Sequence, residues 1–195
     1  MEINCSGSEF ELKNGSDVIL QSSPDRPMIY VGRGKENVLM YRGNFKIEDY
    51  VEERRPLFIT EVSKTRDGAV LTFGDDLKAE VSDKDGAVVI RFEKLCDDIN
   101  RFWIRVNSDA GEHVYGCGEQ MSYFDMKGRH FPLWTGEPGV GRDKSTYITW
   151  KSDVDNMAGG DYYNTNFPQT TFVSSRKYYL HVQTTAYADF DFRND

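Results

Sequence analysis

LFITEVSKTRDGAVLTFGDDLKAEVSDKDGAVVIRFEKLCDDINRFWIRVN, residues 57–107, is the stretch that decides the fold class. Five short runs rich in β-branched and aromatic residues succeed one another at even spacing: LFITEV, AVLTFG, LKAEVS, AVVIRFE and INRFWIRVN. Such composition suits a pleated, half-buried surface rather than a helix. In the last run Ile99, Arg101, Trp103, Arg105 and Asn107 fall on one parity and Phe102, Ile104 and Val106 on the other. That alternation is the period of a strand. Asp67-Gly68 and Asp85-Gly86 are the dipeptides that two-residue hairpins favour, because a type I′ turn needs positive φ at both central positions. Repeated short strands with such punctuation predict an antiparallel all-β sandwich or barrel.

The pattern extends in both directions. Upstream, DVILQS (17–22), PMIYVG (27–32), NVLMYRG (37–43) and NFKIEDYVEE (44–53) read as strands, with a turn at Asn14-Gly15. Downstream, STYITWKS (145–152), TTFVSS (170–175), KYYLHVQTT (177–185) and AYADFDF (186–192) read the same way. No stretch has a capped amphipathic helical period, and the best short helical candidate is Gly118–Phe124. Between the two strand-rich parts lies HVYGCGEQMSYFDMKGRHFPLW (113–134), dense in Gly, aromatics and charge and obeying neither period. A long aperiodic segment inside a domain is more often functional than filler.

Composition narrows the function. With 24 basic and 32 acidic residues among 195, the net charge is −8. That argues against a sequence-independent grip on nucleic acid, which needs a basic face. No apolar run approaches the roughly 18 residues of a membrane span, and the N-terminus lacks a secretory pattern. Cys5, Cys96 and Cys117 are odd in number, and they and His113, His130 and His181 lack metal-ligand spacing. The expectation is a cytoplasmic domain with no membrane partner, no cofactor and no metal. Cys117, between two glycines, reads as a small residue in a tight turn.

GCGEQMSYFDMKGRHFPLWTGEPGVGR (116–142) resembles the N-terminal domain of glycoside hydrolase family 31, the α-glucosidase family, and most of all its sulfoquinovosidase branch. The Gly-Cys-Gly-Glu-Gln, Phe-Pro-Leu-Trp-Thr and Gly-Val-Gly-Arg runs carry the likeness, and AGGDYYNTNFPQTTFVSSRKYYLHV (158–182) extends it. The resemblance covers residues 113–192 strongly and the earlier ones collinearly. It implies one domain over residues 1–195, an antiparallel sandwich similar to the galactose mutarotase supersandwich. The irregular segment 113–142 would face a catalytic (β/α)8 barrel that comes next in the family, so Asp195 reads as a fragment boundary.

The same resemblance implies that no catalytic residue lies in this chain, since the family carries both catalytic Asp residues on the barrel. The parent reaction would be retaining hydrolysis of an α-glucoside or α-sulfoquinovoside. Glu137 stands where relatives have the acid of a Trp-Asn-Thr-Asp run, which reaches the sugar subsite, although Thr135 and Gly136 depart from that pattern. A carboxylate there can accept two sugar hydroxyls; the alternative is a solvated loop acid. Trp134 is either a sugar-stacking platform or a plug between loop and sandwich. Arg142 either binds an anion or makes a structural ion pair. Glu119 is expected to accept backbone hydrogen bonds. The Gly116–Arg142 loop and the Asp161–Pro168 run are expected on one side of the sandwich. Two other readings stay open: a freestanding carbohydrate-binding module, and a structural or interaction domain without ligand.

Overall fold

The computed structural model describes residues 1–41 and 44–193. The end of the predicted strand 37–43 and the terminal Asn194-Asp195 lie outside the described residues. In chain order the elements are β1 (Glu2–Ser6), β2 (Glu9–Asn14), β3 (Asp17–Ser22), β4 (Ile29–Tyr41), β5 (Asn44–Leu57), β6 (Glu61–Lys64), β7 (Gly68–Phe73) and β8 (Leu77–Lys84). Then come β9 (Ala87–Lys94), β10 (Arg101–Ile104), β11 (Val114–Gln120), β12 (His130–Leu133), α1 (Tyr147–Asn156), β13 (Thr165–Ser174), β14 (Tyr178–His181) and β15 (Ala188–Asp191). The fold class is all-β and antiparallel, as the alternation predicts. Strands β1, β2, β11 and β12 and the helix are additions to the sequence reading, β11 and β12 lying in the segment that has no strand period.

The chain forms two compact units. The first holds Met1–Glu36 and Asp49–Ser108; the second holds Asn37–Glu48 and everything from Asp109 on. Sheets β1-β2-β3 and β6-β7-β8-β9 belong to the first, as does most of β10-β4-β5. Burial keeps to the strand period: Ala69, Leu71 and Phe73 of β7 and Leu77, Ala79 and Val81 of β8 point into the core, joined by Phe10, Ile29 and Val31. Their partners on the opposite parity are less buried, which is the signature of a sheet with one packed face.

The turns refine the sequence reading. Asp85 and Gly86 both have positive φ, at 54° and 85°, as a type I′ turn between β8 and β9 requires. The Asn14-Gly15 signal is shifted by one: Gly15 and Ser16 are the central residues, and Gly15 has φ of 61°. Gly68 is inside β7 rather than in a two-residue turn.

The second unit contains sheet β11-β13-β14, the pair β12-β15, and α1. Its core is aromatic, with Phe172 edge-on to Tyr178, Phe190 and Phe192. A buried polar knot accompanies it: the Ser174 hydroxyl donates to Glu112, and Tyr178 donates to the same carboxylate at 3.2 Å. That contact and burial push the Tyr178 phenol well above its ordinary range, burial being the larger cause.

Helix α1 corrects the strand expected at 145–152. Tyr147, Ile148, Thr149 and Trp150 carry strand propensity, but both ends of the segment are fixed for a helix. Asp143 accepts from the Ser145 amide at 2.8 Å, Thr146 opens the helix in extended backbone, and Met157 closes it in the left-handed conformation. The Met157 and Ala158 amides then bond to Asp153 and Ser152 carbonyls. Lys151 and Asp155 pair one turn apart. The short helix expected at Gly118–Phe124 is instead the end of β11 and a run of bends.

Candidate functional site

The aperiodic segment is organised by an irregular strand. In β11, Gly116, Cys117 and Gly118 all have positive φ, at 118°, 62° and 95°, and the register to β13 shifts twice there. This is a bulge that twists the strand and re-aims the residues after it. Cys117 is fully buried within it, and burial pushes its thiol up to about 12. Burial thus disfavours the thiolate, the reactive form, in line with its reading as a small residue in tight backbone.

Gln120 secures the bulge. Its amide donates to the Cys117 carbonyl at 2.7 Å, and its Oε1 accepts from the Thr165 hydroxyl at 2.7 Å. Buried Thr165 also exchanges both backbone hydrogen bonds with Gly136, at 2.9 and 3.1 Å. Gln120 and Thr165 thus tie β11, β13 and the loop after β12 together. Glu119, expected to accept backbone hydrogen bonds, is exposed and accepts none among the described residues. The bulge turns it outward and its neighbour inward.

Beyond Gly136 the chain makes a short excursion and is caught again at Val140. The Val140 amide donates to Ala158 at 2.8 Å, and its carbonyl accepts from Gly160 at 2.9 Å. Two glycine runs interlock here. A Cβ on Gly160 would lie 1.8 Å from the Gly141 carbonyl oxygen, and Gly141, at φ of 66°, has the Thr149 hydroxyl where its own Cβ would be. Only glycine allows this closeness. Gly-Val-Gly-Arg and Ala-Gly-Gly-Asp, which carry the family likeness, are therefore two halves of one clasp. Lys144 reinforces it, reaching Asp153 at 2.6 Å and the Gly159 carbonyl at 2.9 Å.

Glu137 is at the apex of that excursion, just before the stiffening Pro138. Its carboxylate is exposed and has no hydrogen bond or ion pair among the described residues. Trp134, half-buried, stacks on Tyr187 at 5.8 Å between centroids, so that ring occupies one face. Arg142 departs from the ion-pair alternative: it donates to the Met121 carbonyl and the Ser122 hydroxyl, with no carboxylate partner among the described residues. The Met121–Ser122 loop turns neutral acceptors toward it.

An aromatic group adjoins this loop. Tyr123 lies 5.9 Å from Tyr162 and 6.0 Å from Tyr163, and Tyr163 is edge-on to Phe131 at 5.1 Å. The Arg129 guanidinium sits 3.5 Å above the Tyr123 ring. The segments 116–142 and 161–168 are thus knit together, through these rings and the pairing of Gly118 with Pro168 and Gln120 with Thr165. Neither is wholly packed inside, since Phe124 is 83% exposed and Phe167 67%. Among the described residues, no group of His, Cys, Asp and Glu could hold a metal ion.

The family described as the glycosyl hydrolase 31 N-terminal galactose mutarotase-like domain matches residues 3–191. The chain belongs to that family. Its sandwich architecture is thereby the galactose mutarotase-like one. The chain is 55% identical over 185 residues to a sulfoquinovosidase of Agrobacterium fabrum strain C58, covering 95% of this chain and 28% of that protein. It is 44% identical over 188 residues to a sulfoquinovosidase of Escherichia coli K12, covering 94% of this chain and again 28% of the relative. A solved structure described as a GH31 family sulfoquinovosidase from E. rectale, in complex with the aza-sugar inhibitor IFGSQ, superposes with a TM-score of 0.96 at 61% identity. It covers all of this chain and 29% of that one. The chain therefore spans under a third of the length of the relatives it matches. Among the described residues no helix is long and apolar enough to cross a membrane.

Of the site residues expected from sequence, Glu137 and Arg142 share the clasped loop and Trp134 enters it. Gln120, Thr165, Tyr187 and Arg129 are contributions that only the structure brings to the site. For Gln120 and Thr165 a signal exists in the motifs GCGEQ and NTN; Tyr187 and Arg129 sit in ordinary strand and turn sequence.

Proposed function

We propose that this chain is the non-catalytic N-terminal domain of a retaining α-glycosidase of the sulfoquinovosidase type. It supports a catalytic (β/α)8 barrel and lends the loop Phe131–Arg142 to the rim of the substrate pocket. The substrate is an α-glucoside, and the relatives' names favour an α-sulfoquinovoside. The observation that carries the reading is the unpaired Glu137 carboxylate, held on a loop caught on both sides by backbone hydrogen bonds. A carboxylate with no internal partner on a preorganised loop suits acceptance of sugar hydroxyls, because no internal bond has to break first. Trp134 offers its remaining face to the sugar, and Arg142 fixes the loop against Met121–Ser122 while keeping donors toward an anion.

The barrel would cover the exposed aromatic residues of the second unit. Phe124, Phe167, Tyr147 and Ile148 are large, apolar and exposed, and such groupings rarely stay open to water. The cytoplasm fits three free cysteines. The test uses a full-length protein carrying this domain: Glu137→Gln should lower kcat/KM on an α-sulfoquinovoside with the fold intact. Unchanged kinetics would leave Glu137 a solvated loop acid. The isolated chain should not turn over the substrate, and turnover lost on replacing one of its own acids would overturn the non-catalytic assignment.

A further inference from the structure

The β10-β4-β5 sheet carries a second arrangement of arginines and aromatic rings, wholly within the first unit. Tyr30 of β4 and Trp103 of β10 are cross-strand partners, on the face opposite the buried Ile29 and Val31. The Arg54 guanidinium lies 4.8 Å from the centroids of both rings. The Arg105 guanidinium lies 5.3 Å from the Tyr30 centroid and donates to the Tyr30 hydroxyl at 3.0 Å. Both arginines are exposed.

The other described arginines of this sheet are already neutralised. Arg33 holds Glu53 at 3.1 Å, Arg55 holds Asp76 through two bonds of 2.8 and 2.6 Å, and Arg101 holds Asp49 and Glu36. Arg54 and Arg105 have no carboxylate among the described residues. The two acids next to Arg54 in sequence are taken elsewhere, Glu52 by Lys35 at 2.7 Å and Glu53 by Arg33. In a chain of net charge −8, two neighbouring guanidiniums without an acid are a departure from the surrounding surface.

Stacking on a ring covers a guanidinium's flat face and leaves its N–H edge pointing outward in a fixed plane. That edge matches an oxyanion bidentately. Both guanidiniums adjoin the same Tyr30 ring, at 4.8 and 5.3 Å from its centroid, and Arg54 reaches the Trp103 ring as well. We propose that Arg54 and Arg105, stacked on Tyr30 and Trp103, form a binding site for a small oxyanion: a sulfonate, sulfate, phosphate or carboxylate, free or carried on a small organic molecule.

The test titrates the full chain at constant ionic strength with sodium sulfate, with a 6-sulfonated glucoside and with the uncharged glucoside. The readout is the proton–nitrogen NMR signals of the Trp103 indole and the Arg54 and Arg105 Nε–H groups. Saturable shifts at these signals with both anionic probes are expected, and none with the uncharged sugar. Arg54→Gln with Arg105→Gln should weaken affinity at least about tenfold. The double Lys variant keeps the charge but loses the planar edge and should also bind more weakly. If the double Gln variant fails to fold, Arg105→Gln alone carries the comparison. Tighter binding of the sulfonated sugar marks an organic carrier, and equal binding marks a free anion. Linear, unsaturating shifts, affinity unchanged in the folded variants, or an equal response to the uncharged sugar would overturn the proposal.

Discussion

The β7–β8 hairpin and the clasped loop from Leu133 to Arg142 hold their shapes by opposite means. In the hairpin, Ala69, Leu71, Phe73, Leu77, Ala79 and Val81 are nearly inaccessible, and alternation alone selects which face they occupy. Removal of apolar area from water fixes it, and any well-shaped apolar set would serve. In the loop, Gly139, Gly141 and Gly160 contribute no side chain at all, and position comes from backbone hydrogen bonds at Gly136 and Val140. The first arrangement tolerates exchange of residues but not their loss. The second tolerates neither an added carbon nor a shift in register, which suits the role proposed for it of aiming one side chain.

The largest expected contrast, between the units that hold the two regions, is chemical. Cys117 lies in the bulge beneath the loop with its thiol pushed up to about 12, whereas Cys5 on β1 is only half-buried. Burial also raises the Cys5 thiol, though Lys64 opposes it. At pH 8 iodoacetamide should alkylate native Cys117 much more slowly than Cys5, because the thiolate is the reacting form and the Cys117 thiol is the more deeply buried. Urea should remove the difference. Mass spectrometry of labelled peptides over time reads it, and comparable rates in the native protein would mean the bulge opens readily.

Leu71→Ala should destabilise the first unit by about 2–5 kcal/mol, through lost transfer energy and the cavity left at a fully buried position. In urea denaturation monitored by far-ultraviolet circular dichroism, the midpoint should fall steeply. A change under about 1 kcal/mol would mean that the β7–β8 face is looser than its burial.

Glu137→Gln tests the loop where the hairpin has no counterpart. In a full-length protein it should reduce kcat/KM about ten- to a hundredfold, corresponding to loss of about 1.5–3 kcal/mol from one charge-assisted contact. Thermal stability should not change, because the carboxylate has no internal partner among the described residues. A fall in stability without a kinetic change would reverse the assignment of this residue from aim to scaffold.

The two regions are not equally legible in the sequence. Strand alternation and Asp85-Gly86 are readable because period 2 and a type I′ turn are local properties. Helix α1 is not, since Tyr147, Ile148 and Trp150 argue for a strand while the caps at Thr146 and Met157 and the glycines around Thr149 decide otherwise. Glu137, Trp134 and Arg142 are reached through the family likeness, but their partners are not. Gln120 and Thr165 are 45 residues apart, and nothing local links Gly141 to Gly160 or Trp134 to Tyr187. Long-range backbone approach leaves only glycines in the sequence, and those read equally as turns.

Gly160→Ala sharpens the comparison from the loop's side. The new carbon would meet the Gly141 carbonyl oxygen at 1.8 Å, so one of the two runs has to move. The expected cost is about 1–3 kcal/mol from overpacking, with the displacement confined to the second unit. Hydrogen exchange should rise at the Val140 and Gly160 amides while the β7 amides keep their protection. Equal loss of protection in both places would show that the clasp and the hairpin are not separable.

The smallest effect concerns the end of β15, where stability depends on charge rather than on apolar area or close packing. Asp191 receives two bonds from the Arg193 guanidinium, at 2.8 and 2.6 Å. The Arg193 bonds are the largest influence, opposed in part by burial, and bring the Asp191 carboxyl down to about 2. Because the folded pKa lies below the unfolded one, the contribution is fully present above about pH 4 and is lost as pH falls toward 2. Both side chains are more than a third exposed, so solvent screening limits the effect to about 0.5 kcal/mol. Asp191→Asn should therefore lower stability slightly at pH 6 and not at all at pH 2, with the difference shrinking in high salt. The β7–β8 core has no such pair, so Leu71→Ala should cost the same at both pH values wherever the parent remains folded. A pH-independent loss in Asp191→Asn would mean that the aspartate acts otherwise than through its charge, since asparagine keeps the Oδ1 that accepts from the Arg193 amide at 3.1 Å.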